Sequence, residues 1–336
     1  MKKTILITGW MGYIGSHAVV AFEQAWYKTV IVDNLTNSCL SAIRSIWKIL
    51  WYNPIFEELD LRDKNSLDKV FQKYNFDWVI HFAWLKSVWE SCDYALKYYD
   101  NNIIWSIVLF ELMEKYSVKN IIFSSSATVY NPENSLPFKE KDAVWKTTNP
   151  YWTSKFLLEK MLEELSIFAN FRVMNLRYFN PIWAHPSWYI WENPEWLPNN
   201  LLPYIMKVAI WELNKLSIFG GDYDTVDWTW VRDYIDVVDL IDWHVLAYKR
   251  FEKIDLNKWV FEIYNLGVWK WVSVLEMVRT SKKITWKDIK FEIVDRREGD
   301  LASVYCDASK ALNVLWWKAK TSLETSLKNS WEFYNK

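Results

Sequence analysis

Tyr151 and Lys155, in the stretch "PYWTSK", are the two side chains whose types and spacing most suggest chemistry in this 336-residue chain. Residues four apart on a helix project from one face, so the phenol and the ammonium would lie close together. A neighbouring ammonium lowers the pKa of a phenol, which would let Tyr151 act as a general base near neutral pH. Such a pair also arises by chance on a solvated helix face. The surrounding sequence therefore has to show whether this pair is catalytic.

The context is a serine at the end of a predicted strand. The stretch "IIFSSSATVY" places Ser126 at the carboxyl end of a strand that precedes Tyr151. In parallel α/β sheets the carboxyl ends of the strands carry the ligand site. Ser126 could there orient a substrate hydroxyl, whereas an isolated serine at a strand end more often caps a turn.

Gly9, Gly12 and Gly15 form a G-x-x-G-x-x-G pattern between the first predicted strand and the first predicted helix. Backbone amides at such a helix start can hold a pyrophosphate. The next strand ends in Asp33, where a carboxylate can bind the 2′-hydroxyl of an adenosine ribose and would repel a 2′-phosphate. The combination predicts a dinucleotide site that prefers NAD to NADP; the alternative is an ordinary glycine turn.

Strand and helix signals alternate through the first half of the chain. The strands are mostly apolar without strict alternation, as is typical of parallel strands that are covered on both faces. This order predicts an α/β fold with a Rossmann-type doubly wound parallel sheet. The predicted strands are "TILIT", "KTVIVD", "PIFEELD", "DWVIHFA", "NIIFSSS" and "FRVMNLRYFN", and the predicted helices cover about Tyr13–Ala25, Asp63–Tyr74, Tyr94–Tyr116 and Thr153–Ala169.

The alternation of strand and helix signals stops after Asn180. The apolar residues of the stretch "PIWAHPSWYIWENPEWLPNN" follow neither a helical nor a strand period. A stretch of this length without predicted structure is usually functional or disordered. Helix and strand signals then resume. We therefore predict an NAD-binding Rossmann domain over residues 1–180 and a smaller C-terminal α/β substrate-binding region over residues 181–336, which we expect to return a strand to the main sheet.

The composition argues against several classes of protein. The chain has 40 Lys and Arg against 41 Asp and Glu, and a pI near 6.5, so neither nucleic acid nor a membrane is an expected partner. Three cysteines without a C-x-x-C pattern predict no metal site and no disulfide framework. No apolar run reaches the roughly 18 residues of a membrane span, so we expect a cytoplasmic protein.

Tryptophan and glycine occur in unusual numbers. The chain has 25 Trp and 7 Gly, although glycine normally makes up about 7% of residues. The tryptophans fall where turns and helix ends are predicted, as in "NLGVWKWVS", and a turn that needs a positive φ favours glycine. We hypothesise that many glycine positions of a parent sequence have become tryptophan; the alternative is a naturally Trp-rich protein.

Taken together, these stretches resemble the extended short-chain dehydrogenase/reductase family, and within it the UDP-glucose 4-epimerases. The resemblance covers nearly the whole chain. It lies in "TGWMGYIGSH", "VDNLTNS", "HFAWLKSVWES", "SSSATVY", "NPYWTSK", "LRYFNPIWAHPS", "LPNNLLPY", "VRDYIDVVDL", "YNLG" and "RREGDLASVY".

The resemblance implies an isomerase of galactose metabolism that interconverts UDP-glucose and UDP-galactose, with NAD as its cofactor and a homodimer as its assembly. Bound NAD⁺ would take a hydride from sugar C4 while Tyr151 removes the proton of the 4-hydroxyl. Ser126 would bind the 4-oxygen, and Lys155 would tune Tyr151 and hold the nicotinamide ribose. The 4-keto sugar would turn in the pocket and take the hydride back on its other face.

The resemblance also implies the residues that bind the two nucleotides. Those expected to hold NAD are Gly9, Gly12, Tyr13, Ile14, Gly15, Asp33, Asn34, Asn37, Ser38, Asp60, Leu61, Phe82, Ala83, Lys86, Asn101, Tyr178 and Phe179. Those expected to hold the UDP-hexose are Asn180, Asn199, Asn200, Leu201, Phe219, Arg232, Tyr234, Arg297 and Asp300. Arg232 and Arg297 suit a diphosphate because guanidinium groups present forked donors.

Val304 bears on the range of sugars. In the family, a large residue at this position narrows the sugar pocket, and a small one leaves room for an N-acetyl group. The resemblance therefore predicts that UDP-N-acetylhexosamines are also substrates, interconverted as UDP-GlcNAc and UDP-GalNAc.

The chain departs from the family where tryptophan replaces an expected glycine, as at Trp10, Trp84, Trp152, Trp183, Trp188, Trp191, Trp196, Trp228, Trp230, Trp269 and Trp271. Forcing a large side chain into a packed site costs roughly 1–3 kcal/mol. A Cβ at a positive φ adds about 1 kcal/mol or more. Because domains are stable by only about 5–15 kcal/mol, these changes predict a chain of much reduced stability and activity.

Two other functions stay open on the sequence alone. A UDP-sugar dehydratase would share the fold and the Tyr-Lys pair, but it normally carries an Asp-Glu pair where Val129 and Tyr130 follow Thr128 here. A non-catalytic NAD-binding protein is the other class. Loss of the tyrosine, the lysine or the serine would favour it, and all three are present.

Overall fold

The computed structural model describes residues 2–9, 12–36, 41–182, 184–191, 198, 200–254, 260–297 and 300–335. These residues divide into two compact units. The first consists of Met1–Asn134, Glu140–Tyr178 and Ile241–Tyr264, and the second of Ser135–Lys139, Phe179–Leu240 and Asn265–Lys336. The boundary predicted at residue 180 lies beside the change from the first unit to the second, and residues 241–264 then return to the first unit.

Strands and helices alternate along the chain. The strands are β1 (Thr4–Thr8), β2 (Lys28–Asp33), β3 (Ile55–Glu58), β4 (Trp78–His81), β5 (Asn120–Ser126), β6 (Arg172–Tyr178), β7 (Asn180–Ile182), β8 (Leu216–Phe219), β9 (Val231–Asp236), β10 (Val260–Leu266), β11 (Trp271–Ser273), β12 (Phe291–Val294) and β13 (Ser303–Val304). The helices are α1 (Tyr13–Gln24), α2 (Ser41–Leu50), α3 (Lys64–Lys73), α4 (Val88–Asp93), α5 (Ala95–Tyr99), α6 (Trp105–Lys115), α7 (Pro150–Phe168), α8 (Leu201–Ala209), α9 (Val237–Phe251), α10 (Val274–Thr285), α11 (Ser309–Leu315) and α12 (Leu323–Tyr334). None of the described helices has the length and apolar character needed to cross a bilayer.

A seven-stranded sheet with the order β10-β6-β5-β4-β1-β2-β3 forms the centre of the first unit. The pairing is parallel from β6 through to β3. Leu67 of α3, Phe110 of α6 and Leu158 of α7 are buried in one apolar cluster with Val79 and Ile121 of the sheet. A parallel sheet with flanking helices is the Rossmann-type α/β fold, so the predicted fold class is confirmed.

The helix predicted over Tyr94–Tyr116 is divided in the structure. Between α5 and α6, residues 100–104 widen into a π-helical turn. The side chain of Asn102, in that turn, accepts from the Leu85 amide at 3.0 Å and donates to the Leu85 carbonyl at 3.1 Å. Because this bond network follows the loop after β4, no local pattern in the helix predicts the break.

The second unit has two small sheets and its own core. Strands β11, β9 and β13 pair in that order, and β7 pairs with β9; β8 and β12 form a separate parallel pair. Leu202 of α8, Met277 of α10 and Leu327 of α12 are buried in one cluster with Ile218 of β8. This is an α/β region of its own, as the sequence predicts for the C-terminal part.

Many turn positions with a positive φ are occupied by tryptophan. Of the thirteen described non-glycine residues with a positive φ, nine are tryptophan: Trp26, Trp51, Trp145, Trp188, Trp211, Trp228, Trp269, Trp286 and Trp316. Trp286 and Trp316 are left-handed residues that end α10 and α11, which is the usual place of a glycine. These nine positions have the backbone conformation that the glycine hypothesis requires.

All nine of these tryptophans are exposed, from 39% for Trp188 to 91% for Trp316. The cost of overpacking that the sequence suggested is therefore not incurred at these turns. What is left there is the backbone cost of holding a Cβ at a positive φ, about 1–2 kcal/mol per residue.

Candidate active site

Helix α7 brings the candidate catalytic residues to the end of β5. The Asn149 side chain accepts a hydrogen bond from the Trp152 amide at 3.0 Å, and Pro150 occupies the first turn. This cap and this proline start the helix three residues earlier than the predicted Thr153. Tyr151 is thereby placed in the first turn of α7, and Lys155 lies one turn further along.

Tyr151 and Ser126 are brought together. Burial raises the pKa of Tyr151 to about 12, and a hydrogen bond with Ser126 opposes this rise. The Ser126 side chain also accepts from the Thr128 amide at 3.3 Å, so it caps the short turn that follows β5. The strand-end serine thus has both of the roles that the sequence left open, a turn cap and a partner of the tyrosine.

Lys155 is buried and points to the sheet. Its Nζ donates to the Ser124 carbonyl at 2.6 Å and lies 3.4 Å from the centre of the Trp84 ring. Burial lowers the pKa of Lys155 well below its ordinary value, and the charge of Glu159 acts in the opposite direction. In this arrangement burial governs the phenol pKa and the Lys155 ammonium is turned to Ser124, so the lowering of the Tyr151 pKa by Lys155 stays a prediction.

Trp84 fills the space beside Lys155. Its Nε1 donates to the Ser124 hydroxyl at 3.0 Å, and its ring packs at 4.7 Å from His81 and 5.1 Å from Phe123. The resemblance expects glycine here. The indole therefore takes up volume that a glycine would leave open next to the lysine.

The glycine loop follows β1 as predicted. Gly9 has φ +69°, and a Cβ on it would lie 2.3 Å from the backbone of Ala83, so only glycine fits this position. Its amide donates to the Val32 carbonyl at 3.1 Å. Gly12 is the N-terminal cap of α1, whose first turn carries no acidic side chain. An anion at this helix start would therefore meet backbone amides and, within the first turn of α1, no repelling carboxylate.

The expected adenosine-binding residues gather at the ends of β2 and β3. Asp33 ends β2, and its carboxylate accepts from the Leu35 amide at 2.8 Å. Asn34 donates from Nδ2 to Asp60 at 3.0 Å, and Arg62 pairs with the same carboxylate at 2.8 Å. Leu61 is buried. Asn37 and Ser38 lie outside the described residues.

The other residues expected at the cofactor are spread over the same edge of the first sheet. Tyr13, Ile14 and Gly15 form the first turn of α1, Phe82 and Ala83 follow β4, Asn101 lies in the π-helical turn, and Tyr178 ends β6. Lys86 is exposed. Phe179, the next residue along, belongs to the second unit.

The second unit gathers the arginines that the resemblance assigns to the substrate. Arg232 of β9 donates to the Val231 and Leu301 carbonyls, each at 2.8 Å, and burial lowers its pKa. Arg297 donates to Asp300 at 2.9 Å, and its guanidinium lies 4.7 Å from the Phe219 ring. A buried cation of this kind is stabilised by an anion.

Tyr223 and Tyr234 of this unit have buried hydroxyls without a hydrogen-bond partner among the described residues. The Arg296 guanidinium lies 4.2 Å from the ring of Tyr223. Tyr234 was expected at the substrate from the resemblance, whereas Tyr223 and Arg296 were missed, since nothing in "GGDYDTVD" marks a tyrosine as functional. A buried hydroxyl without a protein partner is available to a polar ligand or an ordered water.

The remaining expected substrate residues lie at element ends. Asn180 begins β7 and donates from Nδ2 to the Asp233 carbonyl at 3.1 Å. Asn200 occupies the position just before α8, without a side-chain bond to the helix amides, and Leu201 begins the helix. Asn199 lies outside the described residues.

Comparison with known proteins gives full-length matches. The pattern of the family described as GDP-mannose 4,6 dehydratase matches residues 6–330. The UDP-glucose 4-epimerase of Bacillus subtilis (strain 168) is 46% identical over 330 residues, covering 98% of this chain and 96% of that protein. The UDP-glucose 4-epimerase of Homo sapiens is 41% identical over 340 residues, covering 99% and 97%. The crystal structure of UDP-glucose 4-epimerase from Bifidobacterium longum in complex with NAD⁺ and UDP has a TM-score of 0.94 at 41% identity, covering 99% of this chain and 98% of that one.

A glycine loop after the first strand of a Rossmann sheet, and a helix with tyrosine and lysine one turn apart beside a strand-end serine, define an extended short-chain dehydrogenase/reductase. The match to the dehydratase pattern reflects this shared class, because buried Val129 and Tyr130 stand where a dehydratase would carry acids. On the full-length similarity, the chain belongs to the UDP-glucose 4-epimerase family.

Proposed function

We propose that this protein interconverts UDP-glucose and UDP-galactose by inverting the configuration at sugar C4, with NAD as a bound cofactor. The observation that carries the proposal is the packing of Tyr151 and Lys155 against the serine end of β5, in a chain 46% identical to a UDP-glucose 4-epimerase. Inversion at C4 needs a transient ketone, and the bound nicotinamide supplies the chemistry that accepts and returns the hydride.

The residues of the first unit fit NAD. Gly9 keeps the backbone close to Ala83, and the start of α1 offers amides without an acidic side chain. Asp33 favours a free ribose 2′-hydroxyl over a 2′-phosphate. Asn37 and Ser38 are proposed to complete the adenosine side from the family resemblance alone.

Tyr151 is proposed to take the proton from the 4-hydroxyl and to return it after the sugar has turned, while Ser126 binds the same oxygen. A phenol with a pKa of about 12 is almost entirely protonated at neutral pH, so very little phenolate is present to act as the general base. The proposed role of Lys155 is to correct this, since an ammonium close to the phenolate would lower the phenol pKa. Lys155 therefore has to leave the Ser124 carbonyl or share it during turnover.

The second unit is proposed to hold the UDP part of the substrate. A diphosphate would neutralise the buried Arg232 and use the forked donors of Arg297. The buried hydroxyls of Tyr223 and Tyr234 would gain acceptors. Asn180, Asn199, Asn200, Leu201, Phe219 and Asp300 are proposed to line the rest of the site.

We also propose activity on UDP-GlcNAc and UDP-GalNAc. Val304 lies opposite Arg232 in the parallel pair of β13 and β9, so a proposed diphosphate ligand and this side chain share one strand pair. A valine leaves more room there than a large aromatic residue. Failure to interconvert the N-acetylated sugars, beside activity on UDP-galactose, would refute this extension alone.

The family resemblance further supports a homodimer in the cytoplasm. Analytical ultracentrifugation of the purified chain should give twice the mass of one chain, and fractionated cells should carry the protein in the soluble cytoplasmic fraction.

The test of the proposed function is to add UDP-galactose to the purified protein with NAD and to follow the sugar anomeric protons by NMR. Epimerase activity gives UDP-glucose at equilibrium with UDP-galactose. A 4-keto-6-deoxy sugar would instead identify a dehydratase. Binding of NAD without turnover of any UDP-sugar would identify a non-catalytic NAD-binding protein.

A further inference from the structure

Three residues on one face of α7, each one helical turn from the next, contact the three serines at the end of β5. Tyr151 is hydrogen-bonded with Ser126, and Lys155 donates to the Ser124 carbonyl at 2.6 Å. Glu159, one turn beyond Lys155, accepts a hydrogen bond from the Ser125 hydroxyl. The two catalytic candidates and Glu159 are thus spaced four residues apart on one helix face.

Glu159 is in turn held by an arginine of the neighbouring strand. Arg177 donates from Nη2 to one carboxylate oxygen at 2.7 Å and from Nε to the other at 3.1 Å. The side chains of Arg177 and Glu159 are only 2% and 4% exposed. Arg177 of β6 lies opposite Ser125 of β5 in the parallel register. The Glu159 carboxylate of α7 therefore bonds to both strands.

Arg177 makes two further contacts besides those with Glu159. Its Nη1 donates to the Glu140 carbonyl at 3.2 Å, and its guanidinium lies 4.7 Å from the Tyr130 ring. A buried ion pair contributes little net stability, because desolvation offsets the attraction, but a fully bonded one fixes geometry. The pair of Arg177 and Glu159 is therefore better suited to holding α7 in place and to setting the local charge than to stabilising the fold.

Glu159 and Lys155 project from one face of α7, one turn apart. The charge of Glu159 favours the ammonium form of Lys155 and so opposes the lowering of the Lys155 pKa by burial. His81, which lies near the same site, is kept neutral because burial lowers its pKa to about 3. Arg177 is neutralised by the two-point contact with Glu159. Loss of the carboxylate charge would leave the buried Arg177 guanidinium unpaired and would remove the charge that favours the ammonium form of Lys155.

We propose that Glu159 is a positioning residue of the epimerase reaction: together with Ser125 and Arg177 it fixes α7 on the serine strand, and its charge favours the ammonium form of Lys155, one helical turn away. This inference rests on the proposed function. Lys155 remains the group that would act on Tyr151, and Glu159 works only through Lys155.

The test is the pH dependence of kcat for UDP-galactose in Glu159→Gln. A neutral amide keeps the size of the side chain but removes the charge that favours the ammonium, so the alkaline fall of kcat should begin at a pH lower by about one unit. The KM should change little. Glu163→Gln, on the same helix in an exposed pair with Lys160, is the matched control and should keep the original profile.

Because Glu159→Gln leaves the Arg177 charge unpaired, the double variant Glu159→Gln/Arg177→Gln is measured beside it, with unfolding in urea. If the role is only structural, restored folding will also restore the original pH profile, and the inference is overturned. If the alkaline limb stays displaced in the folded double variant, the inference holds. An active parent with an unshifted Glu159→Gln profile overturns the inference alone, whereas an inactive parent overturns the proposed function and the inference with it.

Discussion

At the scale of single residues, the site is governed by burial. Burial acts on both Tyr151 and Lys155: it raises the phenol pKa to about 12 and lowers the lysine pKa. Catalysis near neutral pH therefore depends on what enters the space beside them. In this chain that space is partly filled by the indole of Trp84.

Trp84→Gly is expected to tighten NAD binding by about tenfold, because it removes an indole that lies 3.4 Å from the Lys155 Nζ. The ammonium should then be free to meet the cofactor ribose. Isothermal titration with NAD measures the change. Trp89→Gly, at a half-exposed indole of α4, serves as the control and should leave the affinity unaltered. Equal or weaker binding by Trp84→Gly would contradict the prediction.

Much of the site could be predicted at this scale, and some of it could not. Tyr151, Lys155 and Ser126 are visible because a helix spacing and a strand end are local patterns. Arg177 and Glu159 stand eighteen residues apart on different elements, and only the packing of α7 over β5 and β6 brings them together. The orientation of Lys155 to Ser124 is likewise a product of packing.

At the scale of elements, the strands were the most predictable part, because buried parallel strands are apolar throughout. The predicted strands β1, β2 and β5 are found residue for residue, and β4 is found as the shorter Trp78–His81 within the predicted "DWVIHFA". The helix starts were less predictable, as α7 shows, where Asn149 and Pro150 moved the start from 153 to 150. The π-helical turn could not be predicted, since its cause is a contact with the loop after β4.

The turns give the second prediction. Trp286→Gly should raise the free energy of unfolding by about 1 kcal/mol, because Trp286 holds φ +56° at the end of α10 with its indole 90% exposed. Trp286→Ala should gain much less, since alanine keeps the Cβ. Trp47→Gly, inside α2, should instead lower the stability by up to about 1 kcal/mol. Urea unfolding of the three variants measures this, and a gain at both tryptophans would show that indole removal, not the backbone, is responsible.

At the scale of the whole molecule, buried carboxylates make the stability depend on pH. Asp236 begins α9 from the end of β9 and accepts from the Ser326 hydroxyl at 2.7 Å and the Val238 amide at 2.8 Å. Burial raises its pKa from 3.8 to about 6. The folded state thus holds the proton more tightly than the unfolded chain, and the stability from this group is lost as the pH rises from about 4 to about 6.

Asp236→Asn should remove this fall in the free energy of unfolding with rising pH. Its free energy of unfolding relative to the parent should rise between pH 4 and pH 6 and stay higher above pH 6, by roughly 2–3 kcal/mol. Asn can keep the acceptor to the Val238 amide, and Ser326 can turn its proton to the Ser322 carbonyl. Urea unfolding at pH 4, 5, 6 and 8 measures the difference, with exposed Asp224→Asn as the control. A difference that does not change with pH would contradict the assignment.

The central claim is that the phenol of Tyr151 exchanges the proton of the sugar 4-hydroxyl. The most direct measurement is kcat for conversion of UDP-galactose to UDP-glucose by Tyr151→Phe, beside Tyr94→Phe at an exposed tyrosine of the same unit. With NAD binding and circular dichroism unchanged, Tyr151→Phe should lose about 10²–10⁴-fold in kcat and Tyr94→Phe nothing. A Tyr151→Phe variant that inverts the sugar at the parent rate would contradict the account.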